Sequence, residues 1–160
     1  MRGRIGFVVL GLVAIGIAVV AVVLLSRDDD DREALSPAEY ETEILPQGEG
    51  ISNQITSDIS GLADEFGTDE GTAVLAGVAD DVGEYVTTLE QVEPPATIAT
   101  EHEGLIGAMS EVETGFRDAA DASAANDIDA ADDALGVAAD NMDTAADLFD
   151  QMEVELGGTQ

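Results

Sequence analysis

The stretch IDAADDALGVAADNMDTAADLFDQMEVEL, from Ile128 to Leu156, decides the fold of this chain. Nine acidic residues lie between the residues of its apolar stripe, and the stripe residues recur at alternating spacings of three and four, as on one buried face of a helix. Asn126 is predicted to cap this helix and Gly157 to end it. The apolar positions are Ile128, Ala131, Leu135, Ala138, Met142, Ala145, Phe149, Met152 and Leu156.

Two stretches upstream repeat the same spacing and predict two further helices. One is expected to open at Pro95 and to fade near Ser123, and the other to run from a cap at Thr68 to the Pro94-Pro95 pair. The apolar stripe of the later helix is Ile98, His102, Leu105, Met109, Val112, Phe116 and either Ala119 or Ala120. The stripe of the earlier one is Val74, Val78, Val82, Tyr85, Leu89 and Val92.

The first helix of the set is predicted to begin at Ser36, where Glu39 completes a capping box, and to end at Gly67. Pro46 interrupts it, but the apolar face stays in phase across the proline. This favours a kinked helix over two helices joined by a loop. Its stripe is Tyr40, Ile44, Gly48, Ile51, Ile55, Ile59, Leu62 and Phe66.

Four amphipathic helices joined by short breaks predict an all-α domain, an antiparallel up-down-up-down four-helix bundle over residues 36–157, with a tail at 158–160. The third and fourth helices are rich in alanine along their stripes, so we expect their axes to approach closely.

The other decisive stretch is IGFVVLGLVAIGIAVVAVVLL, from Ile5 to Leu25, which contains no charged residue, amide or hydroxyl. As a helix it would be roughly 31 Å long, enough to span a membrane. A cleaved signal peptide is the alternative, but the run is longer than an ordinary signal core and no small-residue cleavage pattern follows it. We expect an uncleaved transmembrane anchor at 5–25 and an acidic linker at 26–35.

Lysine and arginine counts on the two sides of the anchor are nearly balanced. The four aspartates at 28–31 would lie beside the anionic inner leaflet if the linker were cytoplasmic. We therefore expect a cytoplasmic N-terminus at 1–4 and an extracytoplasmic C-terminal domain. One face of the anchor carries the small residues Gly11, Ala14, Ala18 and Ala21. Such a face would allow two anchors to pack closely as a homodimer. The alternative is that glycine and alanine are simply common in membrane-spanning helices.

The chain carries 35 acidic residues against 5 arginines, for a formal net charge of −30. Such a surface repels nucleic acid, so nucleic-acid binding is excluded as a function. Acidic excess without lysine is typical of proteins from salt-loving organisms, whose charge repulsion is screened by salt. A disordered acidic chain is the alternative, and the regular apolar spacing argues against it.

Residues for catalysis or metal binding are scarce. There is no cysteine, and the single histidine cannot build a di-iron or zinc site. The acids from Asp127 to Asp133 do not form a calcium loop, because Asp132 stands where such a loop needs glycine. The aspartates at 28–31 could bind a divalent cation, but a solvated charge run is the simpler interpretation. We expect no cofactor and no enzyme activity.

Three polar-tipped residues, Tyr40, Tyr85 and His102, lie on the apolar stripes. Such residues are usually part of the core, with the polar tip bonded to a partner or at the edge of the bundle. Lining a small-molecule pocket is the alternative. His102 is expected to be a seam residue and not a metal ligand.

The layout resembles uncharacterised single-pass envelope proteins of actinobacteria. Its anchor is followed by a Ser-Pro-x-Glu-Tyr opening and a Pro-Pro-Ala segment that leads to His-x-x-Leu. The resemblance implies a helical envelope domain without an assigned activity. The matching residues are Ser36, Pro37, Glu39, Tyr40, Pro94, Pro95, Ala96, His102 and Leu105.

Taken together, these features predict a membrane-anchored, extracytoplasmic protein with a non-enzymatic interaction or scaffold role and an unidentified protein partner. The alternative is a ligand-sensing bundle. Sensors of that kind usually signal through a second membrane helix or a cytoplasmic domain, and the sequence shows neither, so this function would need a partner membrane protein.

Overall fold

The computed structural model describes residues 34–60, 62 and 65–157, and within these ranges the chain is helical and contains no strand. The segments are α1 (Pro37–Glu43), α2 (Leu45–Ile59), α3 (Asp69–Glu90), α4 (Ala99–Ala124) and α5 (Ile128–Gly157). The predicted all-helical fold is therefore confirmed for this part of the chain.

The predicted anchor at 5–25, most of the linker and the tail lie outside the described residues. Among the residues that are described, no helix combines the length and the apolar character needed to cross a membrane.

The first two segments are the halves of one kinked helix. Ser36 caps α1 with the predicted capping box, in which the Ser36 hydroxyl accepts from the Glu39 amide and the Glu39 carboxylate accepts from the Ser36 amide. Only Ile44 separates α1 from α2, and its φ of −102° and ψ of −50° remain in the right-handed helical region. Pro46 lies in the first turn of α2, where a missing amide donor costs least. A kink without a loop is confirmed.

The prediction that this helix continues to Gly67 is wrong, because α2 ends at Ile59. Ser60 turns its hydroxyl back to the Ser57 carbonyl, and glycine follows it in sequence, a combination that ends helices. Leu62 is nevertheless buried and Phe66 packs against the core, so the apolar spacing persists across the turn. Gly67 has a φ of 76° and lies in the connection to α3.

Helix α3 begins as predicted, with the Thr68 hydroxyl accepting from the Gly71 amide. Helix α4 does not open at Pro95. The Ile98 amide donates to the Pro95 carbonyl in a turn, Ile98 itself is not helical, and the helix begins at Ala99. Proline suits the start of a turn as well as the start of a helix, which is why the sequence pattern does not distinguish the two.

The prediction that Asn126 caps the last helix is also wrong. Asn126 has a φ of 57° and ends α4, since its amide donates to the Ser123 carbonyl while the Asp127 amide donates to Ala122. This is a Schellman motif with asparagine in the left-handed position. The cap of α5 is Asp127, whose carboxylate accepts from the Ala130 amide at 3.2 Å.

Contacts at the two ends of the bundle show that the kinked helix α1–α2, then α3, α4 and α5, run in alternating directions. At one end the Leu35 amide donates to the Glu93 carbonyl, between α3 and α4. At the other end the Gly67 amide donates to the Ser123 hydroxyl, which also bonds Thr72. Leu35 and Glu93 thus mark one end of the bundle, and Gly67 and Ser123 mark the other.

Helices α4 and α5 form the most extensive contact of the bundle. At Gly115 an added Cβ would lie 2.9 Å from the Ala138 Cβ and 3.0 Å from the Ala134 carbonyl oxygen. The close approach predicted from the alanine-rich stripes is therefore observed, and it depends on the absence of a side chain at Gly115.

Candidate functional site

A buried polar group joins three helices near the Leu35 end of the core. The Tyr40 hydroxyl of α1 lies 2.7 Å from His102 Nδ1 of α4, and His102 Nε2 lies 3.1 Å from the Leu89 carbonyl oxygen of α3. A carbonyl oxygen only accepts, so Nε2 carries the proton and Nδ1 accepts from Tyr40. The neutral imidazole is thus fully bonded.

Burial keeps this group uncharged. It lowers the pKa of His102, and this effect outweighs the opposing influence of the Leu89 hydrogen bond and the Glu93 charge. Burial also raises the pKa of the Tyr40 hydroxyl. Both side chains are therefore neutral at pH 7, and the group acts as a cross-link between helices.

Tyr85 lies in the same core with only 1% of its surface exposed, and its hydroxyl has no hydrogen-bond partner in the described structure. Burial, and secondarily Tyr40, raises the pKa of this hydroxyl. The structure thus places Tyr40, Tyr85 and His102 in the bundle interior, brings Tyr40 and His102 into contact, and leaves Tyr85 unbonded. Within the described residues no group of three potential metal ligands comes together.

The surface contains a groove of about 450 Å³ between α2 and α5, defined by its lining residues. Helix α4 contributes Met109 to its floor. None of the three polar-tipped residues above lines it. The lining residues are Leu45, Gly48, Glu49, Ile51, Ser52, Asn53, Ile55, Met109, Met142, Ala145, Ala146, Phe149, Asp150 and Glu153.

The groove begins directly after the kink at Ile44 and Pro46. Helix α1 packs against α5, whereas the longer α2 packs mainly against α3. The groove lies between the α2 half of the kinked helix and α5. At the mouth of this space the Phe149 ring lies against the backbone at Gly48, in the position that a side chain there would occupy.

The floor and the rim of the groove differ in character. Met109 and Ile51 are buried, and Met142 and Phe149 are half-buried, so the floor is apolar. The rim carries three exposed carboxylates, those of Glu49, Asp150 and Glu153. No residue that lines the groove is basic.

The only lysine or arginine in the described part of the chain lies elsewhere. Arg117 of α4 donates to Glu113 at 2.9 Å and to Asp80 at 3.4 Å, and none of these residues lines the groove. The carboxylates of the groove rim therefore have no basic neighbour from this part of the chain.

Sequence reasoning identified most residues of the groove floor as core positions, but it missed the groove itself. The signal that could have located it is the cluster of Pro46, Gly48 and Gly50 within the first helix, which marks where that helix bends. The direction of the bend relative to α5 depends on tertiary packing and is not encoded in the local spacing.

Comparisons of the chain with protein-family models, with curated proteins and with solved structures gave no match.

Proposed function

We propose that this chain is a membrane-tethered, extracytoplasmic helical-bundle protein with a non-enzymatic interaction role, and that the groove between α2 and α5 is its binding face. The observation that carries the proposal is the groove. Its volume of about 450 Å³ falls in the range of small-ligand sites, and its apolar floor with a few converging polar groups has their usual composition.

The tether rests on the uncharged run at 5–25 and the acidic flank at 28–31. The same features support a place in the cell membrane with the N-terminus cytoplasmic. In this orientation the Leu35 end of the bundle faces the membrane, and the groove begins at Leu45, about 15 Å further along the helix.

Protease added to intact cells tests the orientation. We expect removal of the acidic domain, detected by an antibody against a C-terminal epitope. Complete protection of the epitope in intact cells, together with digestion after the cells are opened, would reverse the topology.

Photocrosslinking in cells tests the binding face. A photoreactive residue at Ser52, on the exposed rim of the groove, should give a discrete adduct. The same residue at Thr114, exposed on α4 away from the groove, is the matched control. Equal adducts at the two positions would mean that the groove is not a preferred contact.

A second function, a ligand-sensing bundle that acts through a partner membrane protein, is favoured by the dimensions of the groove. The wall contributed by α2 runs from Leu45 to Ile55, about 15 Å, and a space of this length and volume suits a small molecule. Stabilisation of the folded chain by a small ligand in a thermal screen would favour sensing. Adducts only with a protein would favour the interaction role.

A further inference from the structure

We propose that the ligand class of the groove is an organic cation with an elongated apolar body. This inference rests on the second proposed function, the ligand-sensing bundle, because it takes the groove as a small-molecule site, and it adds the chemistry of the occupant. It follows from the charge of the rim, the composition of the floor and the shape of the space.

The carboxylates on the rim indicate that the ligand carries a positive charge. Glu49 extends from the α2 side, while Asp150 and Glu153 extend from α5, so negative charge stands on both sides of one opening. No basic residue lines the groove to pair with them or to attract an anion. The formal net charge of −30 adds a field of the same sign over the whole molecule. A cationic group at the rim is attracted, and an anionic group is repelled.

The apolar body follows from the floor. Met109 and Met142 are flexible and polarizable, and they adapt to ligands of different shape. The half-buried Phe149 ring also lines the groove, and aromatic rings attract aromatic groups and cations. Burying this floor against an apolar body removes it from water, which is favourable in proportion to the area covered.

The length and the volume of the space suit a small elongated molecule. The wall that α2 contributes is about 15 Å long, and the volume of the groove is about 450 Å³. An unbranched or singly substituted chain with a terminal ammonium group fits both the length and the placement of charge.

Three probes of one body test the assignment: 3-phenylpropyltrimethylammonium, 3-phenylpropanol and 3-phenylpropylsulfonate. They are titrated into the full chain in zwitterionic lipid nanodiscs, and binding is followed by ¹³C-methyl NMR of the methionines. Met109 and Met142 line the groove, whereas Met152 is fully buried beside Tyr40 and serves as an internal reference.

We expect the cation to shift the Met109 and Met142 methyl signals with an affinity about tenfold higher than that of the alcohol, and the sulfonate to bind more weakly still. The affinity for the cation should fall as salt is raised. Equal affinities for the three probes would overturn the cation assignment and leave the groove as a binding face. If no probe moves either methyl, this inference fails, and the Ser52 photocrosslink then decides separately whether the groove binds a protein.

Charge variants supply the matched control. The triple variant Glu49→Gln, Asp150→Asn, Glu153→Gln should lose about tenfold in affinity for the cation and nothing for the alcohol. An equal change in net charge on the exposed face of α4 should alter the affinity for the cation by less than about twofold, since those carboxylates lie outside the groove. Equal losses of affinity for the cation in the two triple variants would show that the overall charge of the protein, and not the rim of the groove, attracts the cation. That result would overturn the assignment. The α4 control is Glu103→Gln, Glu111→Gln, Asp118→Asn.

Discussion

At the scale of single residues, two buried tyrosines with different surroundings provide a direct test of the core. Tyr40 donates to His102, while the Tyr85 hydroxyl is buried without a partner. Tyr40→Phe leaves His102 Nδ1 buried and unbonded, so it should lower the free energy of unfolding by about 1–3 kcal/mol. Tyr85→Phe removes an unsatisfied hydroxyl and should leave stability unchanged or raise it.

Denaturant unfolding of the two variants measures the difference. Each loses one oxygen atom from a buried ring, so each is a control for the other. A larger loss of stability for Tyr85→Phe than for Tyr40→Phe would contradict the hydrogen-bond assignment.

Protonation of His102 makes the free energy of unfolding depend on pH, and the direction of this dependence can be predicted. Its pKa in the folded protein lies below the ordinary value of about 6.5, so as pH falls the unfolded chain takes up this proton first. Stability is therefore lost below about pH 6.5, by up to about 1.4 kcal/mol per pH unit until the folded-state pKa is reached. Comparison of wild type with His102→Gln isolates this contribution from that of the carboxylates.

NMR of the imidazole checks the same point directly. The folded protein should show a neutral ring with the proton on Nε2 at pH 6.5. An imidazolium ring at that pH would show that neighbouring carboxylates outweigh burial.

The apolar stripes predicted from the sequence contain most of the core, including Tyr40, Tyr85 and His102, because helical spacing fixes which side chains share a face. Leu75 and Ala79 are also fully buried, yet the stripe of that helix omits them. They lie beside the stripe, and their burial depends on α3 packing against helices on two sides, which a single helical face does not reveal.

At the scale of elements, the contact between α4 and α5 depends on one glycine. A Cβ at Gly115 would press on the backbone of α5 at Ala134 and Ala138, which cannot move without separating the helices. Gly115→Ala should therefore destabilise the bundle by about 1–3 kcal/mol. Gly107→Ala in the same helix meets open space and should stabilise it by about 0.5–1 kcal/mol.

Thermal unfolding of this pair of variants gives the comparison under identical conditions. If Gly115→Ala stabilises the protein as Gly107→Ala does, then the helices are further apart than the structure places them.

Helix boundaries were harder to predict than helix identity. The first helix ends at Ile59 although apolar residues continue in phase to Phe66, and Asn126 ends one helix while Asp127 starts the next. Asparagine and aspartate suit both caps and left-handed positions, so their order in the turn is settled by backbone hydrogen bonds. The groove was beyond prediction for a related reason, since the pattern revealed the kink at Pro46 but not its direction.

At the scale of the whole molecule, like-charge repulsion dominates the surface. Burial raises the pKa of Asp81, and the nearby Glu84, Asp58 and Asp80 raise it further. Salt screens such repulsion, so the midpoint of thermal unfolding should rise by at least about 5 °C between dilute buffer and 1 M KCl.

Equal rises in KCl and NaCl would identify screening as the cause, in place of binding of one particular cation. A midpoint that does not change with either salt would contradict the electrostatic account.

If the groove between α2 and α5 is the binding face, a side chain that fills the groove should block binding. Ala146 is exposed on α5 inside the groove, and Ala139, two turns earlier on the same helix, is exposed outside it. We compare Ala146→Phe with Ala139→Phe, using the Met109 and Met142 methyl shifts produced by 3-phenylpropyltrimethylammonium. We predict that Ala146→Phe abolishes these shifts and that Ala139→Phe preserves them. Wild-type binding by Ala146→Phe would show that the groove is not the binding face.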